Sequence, residues 1–394
     1  MKTTLTTSLI SESKFKYLVI SDIHLGNKRN PTSRIISNLD TYFDNYSKSG
    51  RFAKLDAIFI AGDLFDKLLD LESDDYYHVL EWMIRLMNFC HDNDIILRLL
   101  LGTPSHDRHQ PKVAPIIYSA IAKTFDFEYV STLKIERLKK SGLYILYVPD
   151  EYHPSTDETL RQVKELMAEQ GISKVDISIM HGMFGYQAPI KSDKLPLHNE
   201  QEYLNLTKHY ISIGHVHTFS VYERIIAQGS FDRMSHGQEE AKGAVVCTID
   251  PVNGNNFEFI ENKNALIFKT IRVKTKELDK SMAQIQKVLA SIPEQSHVRI
   301  VADKNNPIIQ GIRELRINCL GFNITVLTSE EEAQKAQDLL VPKVTILDDT
   351  YIPITIDKEN IVELIMDQIT TNYEFQNDQV LDLKVILKEL VQNG

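Results

Sequence analysis

Two short motifs define the architecture of this chain: Asp22-Ile23-His24 and, much later, Gly214-His215-Val216-His217. In each motif two polar side chains are separated by one residue, and on an extended segment such side chains point to the same side. Each motif also follows an apolar run, Tyr17–Ile20 before the first and Tyr210–Ile213 before the second. A buried strand that ends in such a pair typically presents a site at the carboxyl edge of an α/β sheet.

Other apolar runs end in the same way. They are Ala57–Ala61 before Gly62-Asp63-Leu64-Phe65-Asp66, Ile95–Leu101 before the loop Gly102–Asp107, and Val175–Met180 before His181-Gly182. Over the first 180 residues, stretches whose apolar residues recur at helical spacing lie between these runs. The alternation predicts an α/β fold with a largely parallel sheet.

The composition limits the class of protein. A net charge of −10 argues against a chain that holds nucleic acid by itself. The three cysteines are far apart and form no metal-binding pair, which indicates reduced thiols and a cytoplasmic location. We expect neither a signal peptide nor a membrane span, because no apolar run is long enough.

The chain is predicted to have four parts. An N-terminal tail, 1–14, precedes the main α/β domain at 15–262, and a smaller α/β unit follows at 263–345. The C-terminal element, 346–394, contains two amphipathic helices, Lys358–Thr370 and Gln379–Val391. Their apolar faces serve either internal packing or docking on a partner helix.

The polar residues at the strand ends are of the types that bind metal ions. Carboxylates suit hard divalent cations, and imidazole extends the range to manganese, iron and zinc. The candidates are Asp22, His24, Asp63, His106, His181, His215 and His217. They are too many for one ion but fit two ions that share a bridging carboxylate. The alternative, ordinary polar residues at strand ends, would explain each motif alone but not the ordered series.

The motifs occur in the order D-x-H, G-D-x-x-D, H-D, H-G and G-H-x-H. This ordered series resembles that of the calcineurin-like metallophosphoesterases. Within that superfamily the chain is most similar to the nuclease subunit of the SbcCD type and its archaeal, eukaryotic and phage counterparts. Gly62–Asp66 and the segment Gly229–Gly243 are the more specific signs. The motif support covers about residues 15–250. The resemblance implies an αββα sandwich with a smaller capping domain and C-terminal helices that dock on an ATPase.

The resemblance also implies roles for the candidate residues. The first metal would be held by Asp22, His24 and His217, and the second by His181 and His215. Asp63 would be the carboxylate that bridges the two metals. His106 would protonate the leaving oxygen, or else be structural. Asp66 would orient a ligand histidine or cap the following helix, and Asp107 would also support the site.

One loop departs from the family pattern. The family has G-N-H-D where this chain has Gly102-Thr103-Pro104-Ser105-His106-Asp107, which is two residues longer. Counted back from His106, Ser105 stands where an asparagine would bind the second metal. A serine hydroxyl, a loop carbonyl or water would replace it, and we expect the second metal to bind more weakly.

The leading functional hypothesis is a nuclease that acts on double-stranded DNA ends. The resemblance implies 3′-to-5′ exonuclease and endonuclease activity with two divalent ions (Mn²⁺ preferred, Mg²⁺ as alternative), an SbcC-type coiled-coil ATPase partner and a homodimer. Lys28, Arg29 and Arg108 would contact DNA or simply be solvated, and Arg233 would contact DNA or organise its loop. Two other hypotheses are a stand-alone phosphodiesterase or phosphatase on a small phosphoester, and a non-catalytic scaffold. The source would be bacterial or a phage.

Overall fold

The structure is a computed structural model that describes residues 14–50, 54–121, 123–150, 155–188 and 195–333. The first of the two compact units of the chain ends at Ser329 and holds all the elements described here. The predicted C-terminal helical element, 346–394, lies outside the described residues, and its helices stay predictions.

The strands in chain order are β1 Phe15–Ile20, β2 Ala57–Ala61, β3 Ile96–Leu100, β4 Phe127–Val130, β5 Lys134–Arg137, β6 Tyr144–Val148, β7 Ile177–His181, β8 Met183–Phe184, β9 Leu197–His198, β10 Ile211–Gly214, β11 Ser220–Tyr222, β12 Ile225–Ala227, β13 Gly243–Ile249, β14 Asn256–Glu261, β15 Phe268–Val273, β16 His297–Ala302 and β17 Asn323–Thr328. The helices are α1 Thr32–Lys48, α2 Asp74–Asp92, α3 Pro104–Asp107, α4 Val113–Ala120, α5 Thr156–Glu169, α6 Glu200–Leu206, α7 Leu278–Leu289, α8 Pro307–Gln310 and α9 Ile312–Asn318.

Two six-stranded sheets form the main body, with strand orders β14-β13-β1-β2-β3-β4 and β11-β12-β10-β7-β6-β5. In the first sheet β1 to β4 are parallel, and β13 and β14 form an antiparallel hairpin at the edge. In the second sheet β6, β7, β10 and β12 are parallel. The α/β fold predicted from the sequence is therefore confirmed.

The apolar side chains of the strands explain how the layers stack. Along β1, Tyr17 and Val19 enter a core shared with Tyr147 and Ile179 of the second sheet, so the two sheets face each other. Alternate residues such as Leu18 point away and pack, in another core, with helices α1, α2 and α4. Helices α5 and α6 cover the outer face of the second sheet in the same way. Burial on both faces is why the inner strands, such as β1 and β2, are largely apolar.

A smaller parallel sheet, β15-β16-β17, follows the main body and packs with α7, α8 and α9 around its own core. Helices α8 and α9 follow each other directly and are separated at Gly311. Glycine is a poor helix former, and here its backbone ends α8 and begins α9. Within the described ranges, no helix has the length and apolar character needed to cross a membrane.

A buried arginine joins the two sheets at one side. Arg98 of β3, with a side chain only 3% exposed, donates to both carboxylate oxygens of Glu136 of β5, at 3.0 and 2.6 Å. It also donates to Asp126 at 2.7 Å, and the Tyr147 hydroxyl donates to Glu136 at 3.0 Å. Because bidentate geometry satisfies both charges, the pair is tolerated inside the protein.

We predict that Arg98→Met lowers the free energy of unfolding by about 3–5 kcal/mol, because Glu136, which is only 17% exposed, loses the cation that compensates its charge. Urea denaturation followed by circular dichroism measures this. Arg85→Met is the matched control, since Arg85 pairs with Asp40 at the surface and such pairs contribute less than about 1 kcal/mol. Equal destabilisation by the two substitutions would contradict the prediction.

Candidate metal centre

The carboxyl ends of five parallel strands meet at one edge of the two sheets. The residues that follow or end them are Asp22 and His24 after β1, Asp63 after β2, the loop Gly102–Asp107 after β3, His181 at the end of β7, and His215 and His217 after β10. The predicted ligand residues are thus brought together from both sheets, and they form groups in which one ligand atom of each member lies within 4.8 Å of the others.

The first cluster consists of Asp22, His24 and His217. The Nε2 atoms of the two histidines face each other at 3.1 Å. Asp22 Oδ1 lies 4.0 Å from Nε2 of His24 and 3.7 Å from Nε2 of His217. Two ring nitrogens and a carboxylate that converge in this way form a ligand set for a cation.

The second cluster consists of Asp63, His181 and His215. His181 Nδ1–H donates to the carbonyl oxygen of Ala61 at 2.8 Å, which leaves Nε2 as the ligand nitrogen. This Nε2 lies 3.2 Å from Asp63 Oδ1. The carbonyl contact fixes the orientation of the ring, as is usual for histidines that bind metals.

Asp63, a member of the second cluster, also faces the first, and it does so with its other oxygen. Its Oδ1 faces His181, whereas its Oδ2 lies 3.7 Å from His24 Nε2 in the first cluster. The side chain is 2% exposed, so water does not stabilise its charge. This is the position of a carboxylate that bridges two metal ions.

The spacing of these atoms fits divalent ions. With metal–ligand bonds of about 2.0–2.2 Å, adjacent ligands of an octahedral ion are about 3 Å apart and opposite ligands about 4.2 Å apart. In the first cluster the three pairs of ligand atoms are 3.1, 3.7 and 4.0 Å apart, and in the second His181 Nε2 and Asp63 Oδ1 are 3.2 Å apart. The donor set of imidazole and carboxylate suits manganese, iron or zinc, and does not select among them.

The protonation states favour metal binding. Burial opposes the charge of Asp63, but His181 and His24 hold the pKa of this carboxylate well below its usual range. Burial lowers the pKa of His217 to about 4, and burial with the nearby His181 lowers the pKa of His215. Burial also acts to lower the pKa of His181, but the Asp63 carboxylate outweighs it and raises that pKa well above its usual value. A cation would take the place of the His181 proton.

The backbone at the site is strained. Asp22, His24, Asp63 and His215 have φ angles of 50°, 54°, 49° and 97°, in the region that favours glycine. Each such residue costs about 1–3 kcal/mol and persists only where its surroundings hold it. Here the peptide N–H of His215 donates to both oxygens of Asp22 at 3.0 Å, and that of His24 donates to the Asp63 carbonyl at 3.1 Å. Strain gathered on four predicted ligands indicates a functional constraint.

Glycines precede the ligands because the chain segments approach closely. A Cβ on Gly62, whose φ is +83°, would lie 2.2 Å from His181 Nδ1. A Cβ on Gly102 would lie 2.0 Å from the peptide nitrogen of Asp63. No other residue fits at these two positions without moving the ligands.

His106, the predicted catalytic residue, lies on α3 beside the first cluster. Its ring meets that of His24 edge to face, with centroids 5.0 Å apart. Its Nδ1 lies 3.0 Å from the Asp66 carbonyl oxygen. A carbonyl only accepts, so the proton is on Nδ1 and Nε2 is the nitrogen that can exchange a proton with a substrate.

The two supporting aspartates act differently. Asp66 Oδ1 lies 3.1 Å from Nδ1 of His24, and the following helix α2 is capped by Ser73 instead. Asp107 is fully buried and accepts from the peptide N–H groups of Phe65 at 2.9 Å and Gly102 at 2.7 Å. Asp66 therefore orients a ligand, whereas Asp107 joins two ligand loops. Burial and the nearby Asp63 charge raise the pKa of Asp107 to about 6.

The position expected for Ser105 is taken by Thr103. Ser105 is exposed on α3, whereas the Thr103 hydroxyl oxygen lies 3.3 Å from Asp63 Oδ2, from His181 Nε2 and from His215 Nδ1. This corrects the sequence-based expectation. The two additional residues, Pro104 and Ser105, follow Thr103 and begin α3, so counting back from His106 selects a residue that does not face the second cluster.

The predicted DNA-contacting residues divide into two groups. Lys28, Arg29 and Arg108 are exposed on loops at the site edge of the sheets. The Arg233 guanidinium instead donates to main-chain carbonyls, among them that of Glu240 at 2.8 and 3.1 Å and that of Ala265 at 3.3 Å. Arg233 therefore holds the loop together, which was the alternative to a DNA contact.

The sequence analysis assigned no role to two residues that support His217. The Gln238 amide nitrogen lies 2.9 Å from His217 Nδ1, and the Lys242 ammonium donates to the His217 carbonyl at 2.7 Å. Lys242 is 1% exposed, which is unusual for lysine. Both residues lie in the Gly229–Gly243 segment, and this is the only signal in the sequence that pointed to them.

Comparisons with known proteins add little. No family model and no curated protein matches the chain. Among solved structures it is similar to GAP50, the anchor in the inner membrane complex of Plasmodium, with 14% identity, a TM-score of 0.36, and coverage of 64% of this chain and 85% of that one. A second solved chain, 8% identical, has a TM-score of 0.38 over 63% of this chain and 100% of its own. Likenesses this weak carry no argument, so the interpretation of the site depends on its geometry.

We predict that Asp66→Asn lowers the Mn²⁺ affinity of the first cluster about 10–100-fold, because His24 loses the charge that orients its ring. Isothermal titration calorimetry on metal-free protein measures this affinity. Asp70→Asn in the same loop is the control, since Asp70 is exposed and its carboxylate accepts a local hydrogen bond from the Glu72 peptide. Equal Mn²⁺ affinities of the two variants would contradict the assignment.

Proposed function

We propose that the protein is a two-metal-dependent phosphodiester hydrolase that acts on DNA ends as an exonuclease and endonuclease. The observation that carries the proposal is the position of Asp63, which faces a cluster of metal-type ligands with each carboxylate oxygen. Two ligand sets that share one carboxylate are the arrangement that phosphoester hydrolases use. The strained backbone of four of the ligands supports a functional rather than a structural role.

Two bound divalent ions would polarise the phosphodiester and activate a water for in-line attack on phosphorus. The protein would contribute the geometry of the ligands and a proton donor. His106 has a suitable orientation, since Nδ1–H donates to the Asp66 carbonyl and Nε2 faces away from it. In the imidazolium form Nε2 also carries a proton, which it would give to the leaving oxygen. Asp66 would keep His24 in the orientation that presents Nε2.

The choice of DNA as substrate depends on the sequence resemblance and on the charges around the site. Lys28 and Arg29, together with Arg34 and His297, line a cleft between the loop after β1 and the small sheet. Three of these side chains, Lys28, Arg29 and Arg34, are cationic, and cationic side chains on the loop and helix that follow the Asp22–His24 motif suit a polyanionic substrate. The net charge of −10 suggests that much of the affinity for DNA comes from an assembled complex.

We further propose, from the resemblance, that Mn²⁺ is the preferred metal and that the chain works as a homodimer with an SbcC-type coiled-coil ATPase. The docking helices would lie at 346–394, outside the described residues. A cytoplasmic location is consistent with the cysteines Cys90, Cys247 and Cys319, which are all buried and unpaired.

The test is degradation of linear duplex DNA with Mn²⁺ by the wild type, Asp63→Ala and His106→Ala. We expect Asp63→Ala to lose activity together with metal binding. His106→Ala should bind metal normally but turn over about 10²–10⁴-fold more slowly, the usual contribution of a general acid. His109→Ala, which removes an exposed histidine of the same loop, should behave like the wild type.

A small diester such as bis(p-nitrophenyl) phosphate separates the alternatives. Turnover of this compound without degradation of DNA would favour a stand-alone phosphodiesterase and overturn the nuclease proposal. Inactivity on both substrates, also after co-expression with the ATPase, would favour a non-catalytic scaffold.

A further inference from the structure

The Thr103 hydroxyl oxygen is placed like a metal ligand. It lies 3.3 Å from three ligand atoms of the second cluster, which belong to Asp63, His181 and His215. A hydroxyl has one proton and can donate to only one of these atoms at a time. Equal distances to all three also match the ligands of a common ion, whose adjacent octahedral ligands are about 3 Å apart.

We propose that Thr103 is the fourth protein ligand of the second metal and that its hydroxyl makes this metal the weaker and more exchangeable of the two. The inference rests on the proposed function, because it assumes that ions occupy both clusters. The proposal gives a role to Thr103, which replaces the asparagine of the family motif.

The backbone fixes Thr103 in this place. Its peptide N–H donates to Asp63 Oδ1 at 2.6 Å, so the same residue also holds the bridging carboxylate. Its carbonyl accepts the peptide N–H groups of His106 and Asp107, both at 2.9 Å. Pro104 occupies the first position of α3, where proline favours the start of a helix. The loop thus begins its helix directly after the metal-facing residue.

The ligand charges explain why the two sites would differ. The first cluster has a carboxylate of its own, Asp22, in addition to the shared Asp63. The second has only the shared carboxylate, two neutral imidazoles and a neutral hydroxyl. Affinity for a hard cation rises with the number of charged ligands, and an alcohol oxygen carries less negative charge than an amide carbonyl oxygen. The first ion should therefore bind first and more tightly.

A weaker second site would make the activity sensitive to the metal concentration. If the second ion is needed for hydrolysis, activity depends on the free metal concentration in the range of the second dissociation constant. The Thr103 hydroxyl would then set that range.

The experiment is a calorimetric titration of metal-free, full-length protein with Mn²⁺. We expect two unequal sites in the wild type. Thr103→Val, which keeps the shape and the peptide N–H but removes the hydroxyl, should weaken the second site at least about tenfold and leave the first unchanged. Thr103→Ser should behave like the wild type, and Thr103→Asn should bring the second site closer to the first. The Mn²⁺ concentration for half-maximal activity should shift in parallel.

Ser105→Ala is the matched control, because it removes a hydroxyl from the same loop at an exposed position. Weakening of the second site by Ser105→Ala, or two unchanged sites in Thr103→Val, would overturn this inference while leaving the two-metal proposal intact. A wild type that binds only one ion would overturn both. Circular dichroism confirms that each variant is folded before it is titrated.

Discussion

A carboxylate that is shielded from water loses the hydration that stabilises its charge, and Asp63, with 2% of its surface exposed, is in that situation. Its oxygens face the ring nitrogens of His24 and His181, at 3.7 and 3.2 Å, and one also accepts the Thr103 peptide N–H at 2.6 Å. Because these contacts reach both clusters, the ligands around Asp63 form one site rather than two. The strained backbone and the close-packed glycines nearby serve to hold this carboxylate.

The site also depends on the packing of the two sheets, since each supplies half of it. The first sheet contributes Asp22, His24 and Asp63, and the second contributes His181, His215 and His217. The shared core of Tyr17, Phe59 and Tyr147 and the Arg98–Glu136 pair hold the sheets together. At the site edge the His215 peptide donates to Asp22, so the join between the sheets is itself part of the centre. The stability of the fold and the geometry of the ligands are therefore coupled.

The sequence alone predicted the α/β fold, and β2 has the same bounds as its apolar run, because such runs are strong local signals. It also placed the strand-end ligands, since each follows such a run. It missed β4 and β5, which are short, partly exposed and rich in charged residues and are defined by their neighbours. It placed Ser105 rather than Thr103 at the second cluster, because the loop is two residues longer than the family motif and the position of the added residues depends on how the loop folds. Gln238 and Lys242 were missed because they act through contacts far apart in the chain.

Electron paramagnetic resonance of the Mn²⁺-loaded protein tests whether Asp63 bridges two ions. If it does, the ions lie about 3.5–4 Å apart and are magnetically coupled, so the wild type shows a multiline spectrum. Asp63→Asn should lose the coupling and show at most the six-line spectrum of isolated Mn²⁺. A wild-type spectrum of two uncoupled ions, or of one, would contradict the account of Asp63 given above.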